Sequence, residues 1–453
     1  ESEGNLNQQF ENRLFECSLT PLVGLKITGV VPLIDIMSDK FASQNLGDTD
    51  LTVSWLLGSL RSHDEVFRST FGEEDPSEVT CRNIAEGKGL FSIVLKVSLS
   101  FAEGTYVTII KIPGLFVFEK LAEQNVSSHV SMDTTKRDRM VIPMHKNECD
   151  FYKYIAKFIP KTVPRVFETR DWVPAEDQIG YLHMEDLSTR GKNLDYFNCL
   201  SHGQIKNIVR HLAHFHKVIL TTDEALWKGK LVTMGFVMMG VAPLLEGYLE
   251  KFKKVIRMNE LYNSIFSNEK FMKIIKNQDY AKYAYEQSYL DLGLPKLIAH
   301  GDIWTSNVMF KSDSEGKATD EVAAILDWQI AHEGNFLIDF VRLLIHSCDG
   351  DIRREIESYI FEFYIDCLSE ELKKEGKNVP FTADQVREAY EYLFLAHCGH
   401  HIIVYPTIFQ YRIVKETEVD IEKSRRDKCE LRGIHIFEDA IKIINSGKVD
   451  KWL

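Results

Sequence analysis

The chain has no long apolar run. Nothing approaches the roughly 20 residues that a membrane helix needs. Between Pro21 and Ile36 the apolar pieces are broken by Gly24, Lys26, Gly29, Pro32 and Asp35. No basic start precedes an apolar core, so no signal peptide is read; the first residue is Glu rather than Met, which leaves a removed targeting segment open. The eight cysteines include no Cys-x-x-Cys pair. In so long a chain they read as reduced thiols and point to a cytoplasmic location. Positive charge is not in excess: the formal net charge is -13. That disfavours nucleic acid or an anionic membrane surface as the main partner, while a local basic pocket for a nucleotide remains compatible with it. There is no internal repeat and no long low-complexity tract.

What is present is an ordinary globular composition, 44% hydrophobic and 27% charged over 453 residues, long enough for two or three domains. Residues 1–50 read as an extension of mixed character. A first lobe is expected over 51–186: a helical segment from Leu51 to Phe71, then strands. Ile93, Leu95, Val97, Leu99 and Phe101 alternate with polar residues, which is the period of a half-buried strand. Ala102-Glu103-Gly104-Thr105 is a hairpin turn into a strand that Pro113 ends. Residues 122–139 read as a polar loop. A helix is expected from Asn147 to Phe158, with Phe151, Ile155, Phe158 and Ile159 on one face. Two further strands fall near Arg165–Thr169 and Ile179–Met184. From 187 to 453 the pattern is mainly helical. Ser201 and Gln204 form a capping box ahead of Ile205, Ile208, Leu212 and Phe215. Helical runs are expected at Leu245–Met258, Asp351–Lys374 and Ala383–Phe394, and Lys311–Glu321 reads as a polar connector. The fold class is α+β: five strands in a small lobe, then a larger helical lobe.

The chemistry concentrates in His300-Gly301-Asp302-Ile303-Trp304-Thr305-Ser306-Asn307, which follows the apolar strand Leu297-Ile298-Ala299. Asp327, after Ile325-Leu326, is a second carboxylate at the end of an apolar run. An Asp to receive a hydroxyl proton, with an Asn and a second Asp as oxygen ligands for Mg²⁺, is the polar kit of phosphoryl transfer from ATP. Asp302 is the candidate catalytic base; Asn307 and Asp327 are the candidate metal ligands. His300 reads as a brace of the loop, and Asp339 as an acceptor of its backbone hydrogen bonds. Upstream, Glu86-Gly87-Lys88-Gly89-Leu90-Phe91-Ser92 lies between two strands. Gly87 and Gly89 would let the backbone approach phosphates, with a hydroxyl from Ser92, although most such glycine pairs are only turns. Lys111 sits in an apolar strand, where it either snorkels to water or faces nucleotide phosphates with Glu148 as its partner. Met184, Glu185 and Leu187 mark the crossing between lobes, where main-chain groups could pair with a nucleotide base; Glu185 and Asp186 read equally as solvated linker charges. His211, His214 and His216 on one helix, and His397, Cys398, His400 and His401, read as packing or pocket-lining groups rather than a transition-metal site.

Residues 80 to 400 resemble the choline-kinase-like and aminoglycoside-phosphotransferase-like branch of the protein-kinase fold. The likeness is strongest to the ecdysteroid-kinase-like, or CHK, group and its nematode members of unknown function. It rests on His300-Gly301-Asp302-Ile303-Trp304 through Asn307, Leu326-Asp327-Trp328-Gln329 and Met184-Glu185-Asp186-Leu187. Gly301 replaces the Arg of the protein-kinase catalytic loop, Trp328-Gln329 replace Phe-Gly, and only eleven residues separate Asp327 from Asp339. That leaves no evident activation segment and argues against protein substrates. The resemblance implies a protein-kinase-like two-lobe fold with a five-stranded antiparallel sheet, and MgATP-dependent phosphorylation of a small-molecule hydroxyl. The acceptor it implies is a steroid-like alcohol or a metabolite conjugate. A choline, ethanolamine or aminoglycoside acceptor is the alternative within the fold, and a silent pseudokinase the alternative outside catalysis.

Overall fold

The computed structural model describes residues 41, 43–85, 91–114, 137–231, 241–410, 414 and 416–453. The expectations for Gly87 and Gly89, for most of the first 50 residues and for most of the polar stretch at 122–139 lie outside them.

The small lobe is a five-stranded antiparallel sheet in the order β1-β2-β3-β5-β4. Its strands are β1 Glu78–Asn83, β2 Ser92–Phe101, β3 Gly104–Pro113, β4 Val166–Arg170 and β5 Tyr181–Glu185. The alternation read in β2 holds: Leu95, Val97, Leu99 and Phe101 are buried, and Phe101 pairs with Gly104 across the hairpin. The core they join includes residues of two helices, α1 Val53–His63 and α2 Glu65–Thr70. The single helical segment expected over 51–71 is therefore two. Asp64 breaks it: its extended backbone ends α1, and its carboxylate caps α2 by accepting from the Val66 N–H. The same buried carboxylate also accepts the Tyr106 hydroxyl.

The helix that crosses behind the sheet, α3 Ile142–Asp150, starts five residues before the expected Asn147. Pro143 lies in its first turn, where a missing N–H breaks no intrahelical bond. The polar run His145-Lys146-Asn147 conceals the apolar period there. A π-turn, Phe151–Ile155, and a short 3₁₀ turn carry the chain on to Phe158.

The large lobe is mainly helical. Helix α4, His202–Thr221, carries the expected capping box and buries Ile205, Ile208, Leu212 and Phe215. The run expected at Asp351–Lys374 is two helices, Gly350–Glu357 and Ile360–Lys373. The expected connector Lys311–Glu321 is largely strand. With β6 Gly191–Asn193 and β7 Leu297–Ala299 preceding them, β8 Val308–Ser312 and β9 Ala318–Ile325 form a hairpin, and β6-β8-β9 make a three-stranded sheet. Half of β9 is left unburied, so its polar residues conceal a strand. β10 His332–Gly334 pairs antiparallel with β7. The helices of Asn259–Asp291 and the long helix Val419–Asn445 escaped the sequence reading altogether. A five-stranded antiparallel sheet joined to a larger helical lobe is the two-lobe layout of protein-kinase-like folds. Among the described residues no helix is long and apolar enough to cross a membrane.

Candidate active site

β7 is fully buried and delivers the chain into the His300–Asn307 loop. Gly301 has φ +84°, and a Cβ there would lie 2.7 Å from the Ile330 carbonyl oxygen. Both facts call for glycine where protein kinases carry arginine. Gly301→Ala should therefore lower stability by about 1–3 kcal/mol through local strain, read by denaturant melts; an unchanged melt would contradict this tight approach. The loop is tied down at two points. Asp339, in the first turn of the helix Ile338–Ser347, accepts the backbone N–H groups of His300 at 2.9 Å and Gly301 at 2.7 Å. The His300 ring bridges the other side: Nε2 donates to the Leu326 carbonyl at 2.8 Å, and Nδ1 accepts from the Asp302 N–H at 3.1 Å. Those two partners fix the tautomer.

Asp302 is thereby presented at the loop's edge. Asn307 donates to both its carbonyl and its Oδ2, at 2.9 and 3.1 Å. Arg342 donates to its Oδ1.

The β8–β9 hairpin brings the second carboxylate to the same place. Val308 pairs with Ile325, and the Leu326 N–H donates to the Asn307 carbonyl at 2.8 Å. Asp327 then follows with φ +65°, one of two non-glycine residues in the left-handed region among those described. Such outliers concentrate where surrounding contacts over-determine the backbone, and these contacts are visible. Trp328 is buried, stacks on Phe151 with ring centroids 4.0 Å apart, and donates to the Ile325 carbonyl. Asn147 of α3 donates to the carbonyls of Gln329 and Ala331 at 3.2 and 2.6 Å. The helix bearing Glu148 is in this way latched to the loop bearing Asp327.

Lys111 joins the two lobes. Its ammonium lies 2.7 Å from Glu148 and 2.5 Å from Asp327. The lysine does not snorkel: its side chain is 13% exposed, and that of Glu148 is 2% exposed. Burial alone would favour the neutral amine, but Asp327 and Glu148 outweigh it and hold Lys111 above its ordinary range. Burial pushes the Glu148 carboxyl up, against the pull of Lys111. Ser92, Lys111, Glu148 and Gln329 line a small cavity beside this pair. Lys111, Glu148, Asp327, Asn307 and Asp302 thus lie along one connected set of contacts.

Burial also pushes the Asp339 carboxyl up, to about 7, against the two backbone N–H groups that favour its charged form. The sign follows directly. The folded chain keeps this proton up to about pH 7, whereas an exposed carboxyl loses it near 3.8. Between those values folding takes up a proton, so stability falls as pH rises, by up to about 1.4 kcal/mol per pH unit. Asp339→Asn should remove that slope, measured by urea melts between pH 4.5 and 7.5; an identical slope in the variant would contradict the assignment.

At the crossing between lobes the main chain is partly committed. The Met184 carbonyl accepts from Thr108 Oγ1 at 2.9 Å, and the Glu185 N–H donates to the Arg165 carbonyl at 3.0 Å. The Glu185 side chain accepts from the Arg165 N–H and pairs with Arg190. Asp186 is no free linker charge: it pairs with Lys96 of β2 at 3.0 Å. Leu187 is buried. His211, His214 and His216 point to three separate partners, Thr162, Glu371 and Tyr364.

Two residues of the site were missed from sequence. Arg342 lies in a helix whose other members are nearly all apolar, and an arginine inside that run, three residues after Asp339, was the available signal. Asn147 sits beside Glu148 and carried no signal of its own.

A protein-family profile described as "Uncharacterized oxidoreductase dhs-27" matches residues 67–448. Two Caenorhabditis elegans proteins are similar in sequence. "Uncharacterized oxidoreductase dhs-27" is 23% identical over 372 residues, covering 78% of this chain and 42% of that protein. "Uncharacterized kinase-like protein D1044.1" is 24% identical over 284 residues, covering 59% of this chain and 66% of that protein. The chain thus spans less than half of the first relative and just under two thirds of the second. Among solved structures, choline kinase from Cryptosporidium parvum is 12% identical with a TM-score of 0.48, over 87% of this chain and 97% of that one.

Proposed function

We propose that this chain, which belongs to the family described as uncharacterized oxidoreductase dhs-27, is an ATP- and Mg²⁺-dependent kinase that phosphorylates a hydroxyl group of a small molecule. The observation that carries this reading is the shared cleft edge. Lys111 of the small lobe holds Asp327 at 2.5 Å, and Asn307, beside Asp327 across the hairpin, holds Asp302. Cation, oxygen ligands and base then lie in the order that phosphoryl transfer needs.

The residues fit a magnesium ion. Asn307 commits its Nδ2 to Asp302, so the atom it offers is the amide oxygen. Asp327 offers a carboxylate that is 28% exposed. Oxygen donors in small number, completed by phosphate and water, suit Mg²⁺. When bound, the ion offsets charge on the transferring phosphoryl group. Lys111 adds a fixed positive charge on the same side. Asp302 is held at both oxygens, by Arg342 and Asn307, so its remaining lone pairs are aimed before an acceptor arrives. As the acceptor oxygen bonds to phosphorus and the bond to ADP breaks, the hydroxyl proton passes to Asp302. Ser92 and the glycines at 87 and 89 are the proposed cover of the phosphates, and the crossing at Met184–Leu187 the proposed seat of the base.

The arginine on Asp302 bears on the acceptor. Because Arg342 pairs with Asp302, the base brings no uncompensated negative charge to a cationic acceptor such as choline, ethanolamine or an aminoglycoside, and a neutral or anionic alcohol is favoured, in line with the ecdysteroid-kinase-like resemblance. The word "oxidoreductase" in the family's description is shared with a relative that is more than twice as long as the matched part. Every strand pair among the described residues is antiparallel, whereas dinucleotide folds rest on parallel strands. The test is phosphate transfer from ATP to a panel of steroid alcohols, phenolic and glycosidic conjugates, choline and aminoglycosides, read by mass spectrometry. Phosphorylation confined to uncharged or anionic alcohols is expected. Transfer to choline or aminoglycosides alone would overturn the acceptor class, and nucleotide binding without transfer to any alcohol would favour a silent binding protein.

A further inference from the structure

A second cluster lies behind Arg342 and takes no part in the chemistry above. His346 is on the same helix as Arg342, one turn further on. His397 ends the helix Ala383–His397, and His400 begins the helix His400–Gln410. One ring nitrogen of each falls within 4.8 Å of the other two, the one such grouping of potential ligands found among the described residues. His346 Nε2 and His400 Nδ1 are 3.0 Å apart. The rings of His397 and His400 stack at 4.7 Å, and those of His346 and His397 are 5.9 Å apart. His346 and His397 are 3% and 0% exposed.

The cluster does not satisfy itself. His397 Nδ1 bonds the Tyr285 hydroxyl at 2.7 Å. Its Nε2 is buried without a partner, and so is His346 Nδ1. Buried polar atoms are nearly always paired, and exceptions call for an ion or water. One pair forms within the cluster, His346 Nε2 with His400 Nδ1, and it leaves His397 Nε2 and His346 Nδ1 without a partner. A hydroxyl on the far nitrogen is, however, the arrangement that orients a metal-binding histidine and fixes which nitrogen keeps its lone pair. Burial, reinforced by nearby Arg342, holds all three rings in the neutral form, and that is the ligating form. Cys398 is not part of the set: its Sγ is bonded to the Leu395 carbonyl. Facing charge comes from Arg342, balanced by Asp302, and at longer range from Arg432, balanced by Asp349.

We infer that His346, His397 and His400 bind a zinc ion, with a water completing the coordination. Imidazole donors select borderline transition ions over Mg²⁺ or Ca²⁺, which prefer oxygen. Three-histidine ligation with nitrogens a few ångströms apart matches tetrahedral zinc. The ion cross-links three helices behind Arg342, so it acts as a positioning element for the arginine on Asp302 and not as a reactant. From sequence, His397 and His400 read as packing or pocket-lining groups because no second ligand set stands at a recognisable spacing; His346 lies 54 residues before His400.

The test uses the full chain, purified without chelator and with any affinity tag removed. About one zinc per chain is expected by elemental analysis. Cobalt substitution should give the visible absorption of a tetrahedral nitrogen site, and dialysis against a zinc chelator should lower the melting temperature reversibly. His400→Gln, at the most exposed of the three, should cut zinc content at least tenfold with a folded chain by circular dichroism, and His397→Ala should do the same. Asp327→Ala should keep its zinc, which separates this site from the magnesium site, so failure of one reading leaves the other standing. Absence of zinc, of a cobalt spectrum and of any zinc-dependent melting shift would overturn the inference. So would full zinc content in both histidine variants.

Discussion

Asp302→Asn is expected to lower turnover by roughly two to four orders of magnitude, the usual range for loss of a positioned proton acceptor, with nucleotide affinity nearly unchanged. The reason lies in the loop's construction. His300, Gly301 and Asp339 fix the backbone of residues 300–302 through three hydrogen bonds that do not involve the Asp302 side chain. The amide can keep the Arg342 contact through its oxygen. Its nitrogen then faces the Asn307 amide nitrogen, a local conflict confined to this pair. Lys111, Glu148 and Asp327 stay in register, so the proposed nucleotide end of the cleft is preserved. Turnover is measured with the acceptor found in the panel, and affinity by calorimetry with an ATP analogue. Turnover within about twofold of wild type would remove Asp302 from the chemistry.

Asp327→Ala should strike the opposite end of the cleft. It removes a proposed magnesium ligand and one of the two carboxylates on Lys111. Metal-dependent nucleotide binding should weaken at least tenfold, and kcat/KM should fall by about 10³-fold or more, as for loss of a group that offsets transition-state charge. Lys111 keeps Glu148 at 2.7 Å, and Trp328 keeps its stacking on Phe151, so the fold should survive. A titration of activity against Mg²⁺ separates the effects: a ligand change raises the Mg²⁺ needed, while a structural defect lowers the plateau alone. An unchanged Mg²⁺ dependence would count against Asp327 as a ligand.

The residues legible in the sequence share one property. Lys111, Asp302, Asp327 and Asp339 are each a charge inside or at the end of an apolar run, where burial has to be compensated and a partner is therefore implied. The alternating face of β2 and the capping box at Ser201 were legible for the same local reason: their signals span a few residues. Arg342 carries the same signal, a charge inside an apolar run, but its partner is a loop forty residues away and nothing in its own helix specifies that contact. The β8–β9 hairpin was concealed by its exposed outer half, and the break between α1 and α2 by an aspartate that reads as ordinary surface charge until Tyr106 is brought to it. His346 shows the limit most plainly. A ligand set drawn from three helices has no spacing to read, and only the packed structure brings its members together.

The central claim is that one divalent ion, carried in with ATP, is held between Asn307 and Asp327 beside Lys111, with Asp302 across from it. The most direct measurement is a crystal structure with a non-hydrolysable ATP analogue and Mn²⁺ in place of Mg²⁺, with the ion located by its anomalous scattering. The peak should lie within coordinating distance of the Asn307 amide oxygen, the Asp327 carboxylate and the analogue's phosphates, with Asp302 facing the terminal phosphate. An ion bound at other residues, or an analogue seated away from Lys111, would contradict it.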